Sequence, residues 1–537
     1  MPVPDQYVSA AVATATTAPP LPPLSPPLDL LGQLGLGALA GCSLAALLRR
    51  RQLHWSWALL VLVGALSLRP LLAGSFAPLA TAAVVALVRA RGRHREDLAW
   101  GGDLYELAQA RRGPLQCART ALFALLERRG AGYSGQVLGD ELVAVGRDRQ
   151  ARLISVPFST RAGRHTLIVG ATGSGKTVTQ TWIVCRAIEA GLSAVVIDPK
   201  GDPHMRSELA QSARRAGREL LSWTPGGPHP YNPFGYGTPS EIADRVLAAE
   251  RFTEPHYQRQ AQRYLAFVLR ALQGADVPAS LSEIVRRLEP ESLLELCELL
   301  PASQAEATGR YLETLTARQR TDLSGVRDRL AILAESDVAA WLEPEQAGHG
   351  AFDLLGAIRR RAVVHFELQA DSWPLLAQML GVAIVGDLRA AMAALQRSPV
   401  PAVVAIDEFA AIAAEQVAHL FGRARSAGIN LLLGTQELSD LRVEGRGQLR
   451  EQVLGNLSSV IAHRQVVCES AELVSRLAGS RGAWRTAQSP SGWTRSRTSA
   501  PVLSAERVRS LPVGHAAVLD LTRGTACVAG VFSGRAR

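Results

Sequence analysis

A glycine-rich segment that ends in lysine and threonine is the first feature of the sequence that could do chemistry. Residues 170–177 read Gly-Ala-Thr-Gly-Ser-Gly-Lys-Thr, which fits the pattern G-x-x-x-x-G-K-[ST], between an apolar strand pattern and a helical pattern. In that context the backbone N–H groups can surround phosphate oxygens, the lysine can reach the β and γ phosphates, and the threonine hydroxyl can ligate Mg²⁺. The motif therefore predicts a site for ATP and Mg²⁺ made of Gly170, Ala171, Thr172, Gly173, Ser174, Gly175, Lys176 and Thr177.

Two adjacent carboxylates follow a buried strand pattern much later in the chain. Residues 403–406 are Val-Val-Ala-Ile, and Asp407 and Glu408 come next. Asp407 would complete the Mg²⁺ shell, and Glu408 would orient and polarise the attacking water. Such a pair is a weak signal by itself, since a solvated strand end is the alternative, but it becomes strong beside the phosphate loop.

Two further residues could act on the γ-phosphate. The strand pattern at 429–436 ends in Gln436, and a strand beside that of Asp407 would bring this amide to the same edge of the sheet, where it can sense phosphate or position water. An ordinary strand-end amide is the alternative. Arg425 lies in the last turn of the helical pattern after Glu408, where an arginine suits the helix dipole. The functional alternative is an arginine finger that reaches a neighbouring subunit, a role that Arg423 could also fill.

Lysine is almost absent from this basic chain of 537 residues. The formal net charge is +10, and of 58 lysines and arginines only Lys176 and Lys200 are lysine. A chain so biased towards arginine is expected to keep lysine where a compact ammonium on a flexible stem is needed, although Lys200 could be a merely structural turn residue. The positive charge suits a polyanion or an anionic membrane surface without choosing between them.

Continuous apolar runs separated by helical patterns predict an α/β fold with a mainly parallel sheet covered on both faces. The predicted strands lie at 165–170, 193–198, 362–368, 402–407, 429–436, 458–463 and 516–521. Residues 239–345 read as successive helices instead and predict an inserted all-α domain. Six scattered cysteines without a CxxC pair predict a reducing compartment, with neither a zinc site nor a disulfide framework.

Three apolar stretches precede the α/β patterns. The stretches at 30–48 and 71–88 are long enough to span a membrane, and the stretch at 55–68 is shorter and marginal as a span. Arginine clusters at 49–51 and 89–95 would both be cytoplasmic if the chain crosses three times with its N-terminus outside. A buried hydrophobic hairpin is the alternative. The sequence thus predicts a multi-pass protein of the cell (inner) membrane whose nucleotide-binding (ATPase) domain lies in the cytoplasm.

Four segments besides the phosphate loop resemble the TraG/TraD-type coupling proteins of conjugative type IV secretion, within the FtsK-like group of RecA-fold motors. The segments lie at 194–202, 231–234, 407–410 and 434–436, and the layout of spans, core and helical insertion is also similar. The resemblance covers roughly residues 160–535. That family more often has two spans with a sizeable outer loop, unlike the three tight spans predicted here.

The resemblance implies a RecA-like P-loop NTPase core in a homo-hexameric ring that couples ATP hydrolysis to the passage of DNA, or of relaxase–DNA, across the inner membrane. It also implies relaxosome or secretion-channel proteins as partners. By motif, Lys176, Thr177, Asp407, Glu408 and Gln436 inherit phosphate-binding, metal-binding, water-activating and sensing roles, and Arg425 inherits the role of the trans-acting finger.

Six segments make up the predicted domain organisation. They are a flexible Pro/Ala-rich N-terminus (1–28), a transmembrane region of two to three helices (29–95), a linker with the start of the cytoplasmic domain (96–160), the first part of the RecA-like nucleotide-binding domain (161–238), the all-α insertion (239–345) and the second part of the RecA-like domain (346–537).

Contact with DNA is expected at one of two places. Residues 481–499 are rich in arginine and serine and include Trp484 and Trp493, a combination that can hold single strands, although a floppy surface loop is the alternative. The helical insertion is the second candidate. No base-reading motif is evident, so DNA contact should depend weakly on sequence.

Two other functions remain open from the sequence. One is a nucleotide-dependent membrane receptor that recruits protein cargo to a secretion channel. The other is an FtsK-like translocase of double-stranded DNA, against which the helical insertion and the lack of a C-terminal winged-helix pattern argue.

Overall fold

The computed structural model describes residues 27–50, 56–67, 76–99, 142–148, 151–159, 163–248, 250, 252, 254–343, 345–346, 349–441, 449–489 and 492–533. The predicted flexible N-terminus at 1–28 and the predicted linker at 96–160 fall largely outside these residues. The chain divides into an N-terminal unit, which comprises residues 1–97 and 110–115, and a second unit made of residues 98–109 and 116–537. Each unit is described by itself.

Three helices follow the apolar stretches of the N-terminal unit: α1 (Pro27–Arg50), α2 (Ser56–Ser67) and α3 (Phe76–Ala99). Helices α1 and α3 meet at two glycines one helical turn apart. A Cβ atom added to Gly37 would lie 2.6 Å from the carbonyl oxygen of Pro78, and one added to Gly41 would lie 2.5 Å from that of Ala82. Glycine at both positions therefore lets the two backbones approach closely, as in helix pairs packed within membranes.

Length and hydropathy do not support the three predicted crossings. Helix α2 has only 12 residues, and α3 includes the charged residues that follow position 88. Within α1 the apolar segment Gly32–Leu48 is too short to pass as a full span. In the described part of the chain, one helix, Pro374–Leu395, is long and apolar enough to cross a membrane, and most of it is buried inside the second unit. That burial is typical of a core helix of a soluble domain.

An eleven-stranded sheet organises the second unit, in the order β2-β1-β15-β14-β11-β3-β10-β9-β4-β8-β5. The strands from β11 to β5 are parallel, whereas β14, β15, β1 and β2 are antiparallel to their neighbours. The bounds are β1 Leu142–Arg147, β2 Leu153–Pro157, β3 His165–Val169, β4 Ser193–Asp198, β5 Leu220–Trp223, β8 Val363–Glu367, β9 Ala402–Ile406, β10 Ile429–Thr435, β11 Ser459–Ala462, β14 His515–Asp520 and β15 Thr525–Val531. Two smaller sheets pair β6 (Glu345–Gln346) with β7 (His349–Gly350), and β12 (Ser480–Ser489) with β13 (Gly492–Pro501).

Alternate residues of the central strands enter two different cores, which explains their continuous apolar runs. On β9, Val404 and Ile406 face one core, and Val403 and Ala405 face the other. The mainly parallel sheet predicted from the sequence is therefore confirmed. The helices that cover the sheet are α4 Lys176–Glu189, α5 Pro203–Arg215, α12 Leu354–Arg359, α13 Pro374–Leu395, α14 Phe409–Ala418, α15 Phe421–Ala424, α16 Leu449–Gly455, α17 Cys468–Ala478 and α18 Ala505–Arg509, together with a 3₁₀ turn at Leu438–Leu441.

The residues between β5 and β6 form a layer of helices: α6 Pro239–Leu247, α7 Pro255–Gly274, α8 Leu281–Arg287, α9 Pro290–Cys297, α10 Ala302–Glu313, α11 Ala317–Ala334 and a 3₁₀ turn at Ala339–Leu342. Capping boxes at Thr238 and Thr316 begin α6 and α11. The apolar side chains of this layer are continuous with one core of the sheet. The domain boundaries at 238–239 and 345–346 stay predictions.

Candidate nucleotide site

The phosphate loop connects β3 to α4 at the carboxyl edge of the sheet. Gly173 and Gly175 have φ angles of 74° and 106°, a left-handed conformation that glycine adopts without a steric cost. Gly175 is also the N-cap of α4 and has no side chain with which to cap the helix. The backbone N–H groups in the first turn of a helix have no acceptor within the helix. Those of α4 are therefore available to bind an anion at the phosphate loop.

Lys176 begins α4 and meets both carboxylates that the sequence analysis singled out. Its Nζ lies 2.9 Å from Oδ1 of Asp407 and 2.6 Å from Oε1 of Glu408. All three side chains are at least nine-tenths buried. Strands β3 and β9 flank β10 on either side, and their carboxyl ends bring these groups together although more than 200 residues separate them in the chain.

Asp407 is fixed from two sides. The hydroxyl of Thr177 donates to Oδ2 at 3.2 Å, and the backbone N–H of Glu408 donates to Oδ1 at 2.9 Å. Glu408 itself has a φ of 45° as the N-cap of α14. A side chain in this left-handed conformation costs about 1–2 kcal/mol, so the packing around the site holds the residue in a strained position.

Three donors converge on Oε1 of Glu408. Lys176 donates at 2.6 Å, and Lys200 and Gln436 each donate at 3.1 Å. Burial alone would raise the pKa of Glu408, but the hydrogen bonds and charges of Lys176 and Lys200 hold the pKa below its usual value. The carboxylate is therefore ionised and has a fixed orientation.

Gln436 links Glu408 to the phosphate loop, since its Oε1 accepts from the hydroxyl of Thr172 at 3.4 Å. The strand that carries it passes close to Asp407. A Cβ atom on Gly434 would lie 2.5 Å from Oδ1 of Asp407 and 3.1 Å from Oε1 of Gln180. Only a glycine at this position lets β10 run beside the carboxylate.

Lys200, whose role the sequence left open, is part of the site. It lies in the turn after β4, which the buried carboxylate of Asp198 shapes by accepting the N–H groups of Lys200 at 3.0 Å and of Asp202 at 2.6 Å. Burial raises the pKa of Asp198, and these backbone hydrogen bonds oppose that effect. The turn places the ammonium of Lys200, 47% exposed, against Glu408.

Sequence reasoning missed His463, which lies fully buried beneath the phosphate loop. Its Nε2 lies 3.0 Å from the hydroxyl of Thr179, and its backbone N–H donates to the carbonyl of Val169 at 2.8 Å. A Cβ atom on Gly170 would lie 2.6 Å from Cβ of His463, so the loop rests directly on this residue. Burial lowers the pKa of His463 to about 4, which keeps the ring neutral. Its place at the end of a predicted strand was the available signal.

Arg425 is not at the nucleotide site of its own chain. Its side chain is exposed, and it lies just before β10, at the amino edge of the parallel strands. Its carbonyl accepts from the N–H of Gly163, which precedes β3 at the same edge, at 3.3 Å. Seven residues of β10 separate this edge from the site, a distance of roughly 20 Å. Arg423 is exposed on the same edge.

Two family models match the chain. The model described as the TraM recognition site of TraD and TraG matches residues 401–513, and that of the central domain of helicase HerA matches residues 143–338. No curated protein matches the chain by sequence.

Solved structures of the conjugative coupling protein TrwB share the fold. The unbound form of TrwBdeltaN70 is 17% identical, with a TM-score of 0.56 over 77% of this chain and 93% of that chain. The TrwB complex with the ATP analogue ADPNP is 17% identical, with a TM-score of 0.55 over 77% and 94%. The TrwB complex with ADP and Mg²⁺ is 16% identical, with a TM-score of 0.51 over 69% and 86%.

The two family models cover both halves of the site. The HerA model contains the phosphate loop and Lys200, and the TraD/TraG model contains Asp407, Glu408 and Gln436. At this level of identity the solved structures establish the fold, whereas the models match the sequence itself. The chain therefore belongs to the type IV coupling protein family of the TraG/TraD type.

Proposed function

We propose that this chain is a membrane-anchored ATPase that couples ATP hydrolysis to the transfer of DNA, or of relaxase–DNA, in conjugation or type IV secretion. One observation carries the enzymatic part: Lys176, Thr177, Asp407, Glu408 and Gln436 meet within hydrogen-bonding distance at the carboxyl edge of one sheet. Carboxyl edges of parallel sheets are where such folds bind their ligands.

The residues present fit ATP with Mg²⁺. The loop offers open backbone N–H groups and a buried ammonium for phosphates, and Thr177 and Asp407 offer the hard oxygen ligands that Mg²⁺ prefers. In the described part of the chain Lys176 contacts the carboxylates of Asp407 and Glu408, and each of these also accepts from other donors, so the ammonium can move to a phosphate without leaving either carboxylate unpaired. The TrwB complexes with ADP and Mg²⁺ and with ADPNP support this assignment.

Each residue has one task in the proposed hydrolysis. Lys176 would bind phosphate oxygens, and Thr177 and Asp407 would hold Mg²⁺, which supplies neutralisation of the charge that develops on the phosphates. Glu408 would then keep its contacts with Lys200 and Gln436, which orient the carboxylate to polarise an attacking water. Gln436, which also contacts Thr172, would link the conformation of the phosphate loop to the orientation of Glu408 and so sense the γ-phosphate.

The N-terminal unit supports a membrane anchor. Most of the large apolar side chains that are exposed in the described residues lie on α1–α3: Leu34, Leu36, Leu39, Leu47, Leu59, Leu60, Val61, Val63, Leu66, Leu79, Val84 and Val88. So many exposed apolar groups indicate a lipid or protein surface. The close packing of α1 and α3 at Gly37 and Gly41 is the kind that holds helices together in lipid. We place this anchor in the cell membrane and the ATPase in the cytoplasm.

The position of Arg425 supports a ring. Arg425 is exposed at the edge opposite its own site, so it is free to reach the site of a neighbouring subunit, as an arginine finger does. A homo-hexamer would supply that neighbour. The match to the TraM recognition model supports a relaxosome protein as partner, and it also favours the second candidate function, a nucleotide-dependent receptor for protein cargo.

ATP hydrolysis by the full chain in lipid nanodiscs, with and without single- or double-stranded DNA, tests the proposal. We expect DNA to stimulate hydrolysis at low salt and Glu408→Gln to abolish it while nucleotide binding remains. Glu472→Gln, a change at an exposed glutamate of α17, is the matched control. Hydrolysis that ignores DNA but responds to a relaxosome protein would favour the receptor, and an active Glu408→Gln variant would contradict the assigned site.

A further inference from the structure

The segment at 481–499 is a β-hairpin and not an irregular loop. Strands β12 and β13 pair antiparallel from Ser480 opposite Pro501 to Ser489 opposite Gly492, apart from the main sheet. The base is anchored: Ala500 is buried, and the N–H of Val502 donates to the carbonyl of Gly479 at the end of α17 at 2.9 Å. A two-stranded ribbon is marginally stable without further packing, so a hairpin of this length is suited to a binding partner.

The register sorts the hairpin into two faces. It pairs Trp484 with Arg497, Thr486 with Arg495, and Gln488 with Trp493. Residues directly opposite each other share a face, and so do alternate residues of one strand. Both tryptophans and two arginines therefore occupy one face, here named the Trp/Arg face: Trp484, Trp493, Arg495 and Arg497. The other two arginines, Arg481 and Arg485, occupy the opposite face.

The composition of the hairpin selects among partners. Residues 480–501 contain four arginines and no acidic residue, so the ribbon complements a polyanion. They also contain no leucine, isoleucine, valine, phenylalanine or methionine. Trp484 and Trp493 are thus the only large apolar groups in the sequence of the ribbon, which is little apolar area for insertion into a bilayer, so its composition fits a nucleic acid better than a lipid surface.

We propose that the Trp/Arg face binds single-stranded nucleic acid by stacking bases on Trp484 and Trp493 and by pairing phosphates with Arg495 and Arg497. Along this face the register places Trp484 opposite Arg497, then Arg495 in the next row, then Trp493 in the third, with rows about 7 Å apart along the strands. Aromatic stacking with interleaved cations is how proteins hold single strands without reading sequence. The paired bases of a duplex offer no exposed faces for such stacking.

One described contact fits this face directly. A Cβ atom on Gly482 would lie 2.9 Å from Nε of Arg497, so the exposed guanidinium of Arg497 lies over the glycine backbone on the Trp/Arg face. Helix α17 begins five residues after His463, which lies beneath the phosphate loop, and the 11 residues of the helix extend about 16 Å towards the hairpin base. This inference rests on the proposed function and names the surface through which DNA would be held.

Fluorescence anisotropy of a labelled oligothymidine with the full chain tests the inference. We expect Trp484→Ala with Trp493→Ala to weaken binding at least tenfold, and Trp484→Phe with Trp493→Phe to restore most of it, since phenylalanine also stacks. Arg495→Ser with Arg497→Ser should weaken binding and reduce the slope of log affinity against log salt by about 1.4, the value for two phosphate contacts on a single strand. A duplex of equal length should bind more weakly.

Arg481→Ser with Arg485→Ser is the matched control, because it removes the same charge from the opposite face. Equal weakening by this variant would show an effect of net charge and overturn the inference. Unchanged affinity in the alanine variants would also overturn it, and if DNA still stimulates hydrolysis in that case, the proposed function stands. A wild-type chain that neither binds single strands nor responds to DNA would overturn both. Unchanged basal hydrolysis in every variant is expected and verifies that the fold is intact.

Discussion

Replacing Lys200 by methionine tests whether the second lysine positions Glu408. The substitution removes one of the three donors to Oε1 and leaves those of Lys176 and Gln436. A hydrogen bond between charged groups contributes about 1.5–3 kcal/mol. Lys200 is 47% exposed, and solvent screening reduces that figure to about 1 kcal/mol.

A loss of about 1 kcal/mol in the transition state predicts a roughly fivefold fall in kcat. The KM for ATP should change little, because Lys200 contacts Glu408 and not the phosphate loop. Lys200→Arg keeps the charge and should recover part of the rate. Steady-state hydrolysis by the two variants measures these effects. A raised KM with an unchanged kcat would refute the positioning role, because it would make Lys200 a nucleotide-binding residue.

Three other substitutions address separate parts of the site. Gly434→Ala should displace Asp407, since the new Cβ would lie 2.5 Å from its Oδ1. Overpacking of this kind lowers the free energy of unfolding by about 1–3 kcal/mol, which denaturant unfolding measures. Mg²⁺-dependent nucleotide binding should also weaken, and normal binding would contradict the assigned position of Asp407. Arg425→Ala should abolish hydrolysis but not nucleotide binding, and mixing it with Glu408→Gln subunits should restore some activity; full activity of the arginine variant alone would exclude the finger. The third substitution, at His463, concerns pH. The pKa of His463 is about 4 in the folded chain and about 6.5 in the unfolded chain, so between these values the unfolded state binds a proton that the folded state does not. The free energy of unfolding should therefore fall by up to ~3 kcal/mol as the pH drops from 6.5 to 4. His463→Gln should flatten that dependence in pH-resolved unfolding, and an identical slope in both proteins would count against a buried neutral ring.

The central part of the fold was predictable because its strands are buried on both faces. Strands β3, β9 and β10 appear in the sequence as continuous apolar runs, which parallel sheets require. Among the flanking strands, β14 was predicted at 516–521, whereas β1, β2, β5 and β15 were not. Strand β1 pairs with β15 from the far end of the chain, and pairing across such a distance leaves no local pattern. The sequence of the β12–β13 hairpin lacks the alternation of apolar and polar residues from which a strand is predicted.

The site divides in the same way. The phosphate loop and the Asp407–Glu408 pair carry their chemistry in local patterns, and the parallel order of the strands explains why they meet. The contact of Lys200 with Glu408 depends on a turn shaped by Asp198, and the support that His463 gives the loop depends on β11 lying beside β3. Both are tertiary contacts, which residue spacing alone does not specify.

The most direct test of the central claim is equilibrium binding of a fluorescent non-hydrolysable ATP analogue to the full chain, with Mg²⁺ or with EDTA. We predict that binding requires Mg²⁺ and that Lys176→Ala weakens it about tenfold to a hundredfold, the loss expected for a charged hydrogen bond to phosphate. Equal affinity of the wild type and Lys176→Ala, or binding indifferent to Mg²⁺, would contradict a nucleotide site built on Lys176, Thr177 and Asp407.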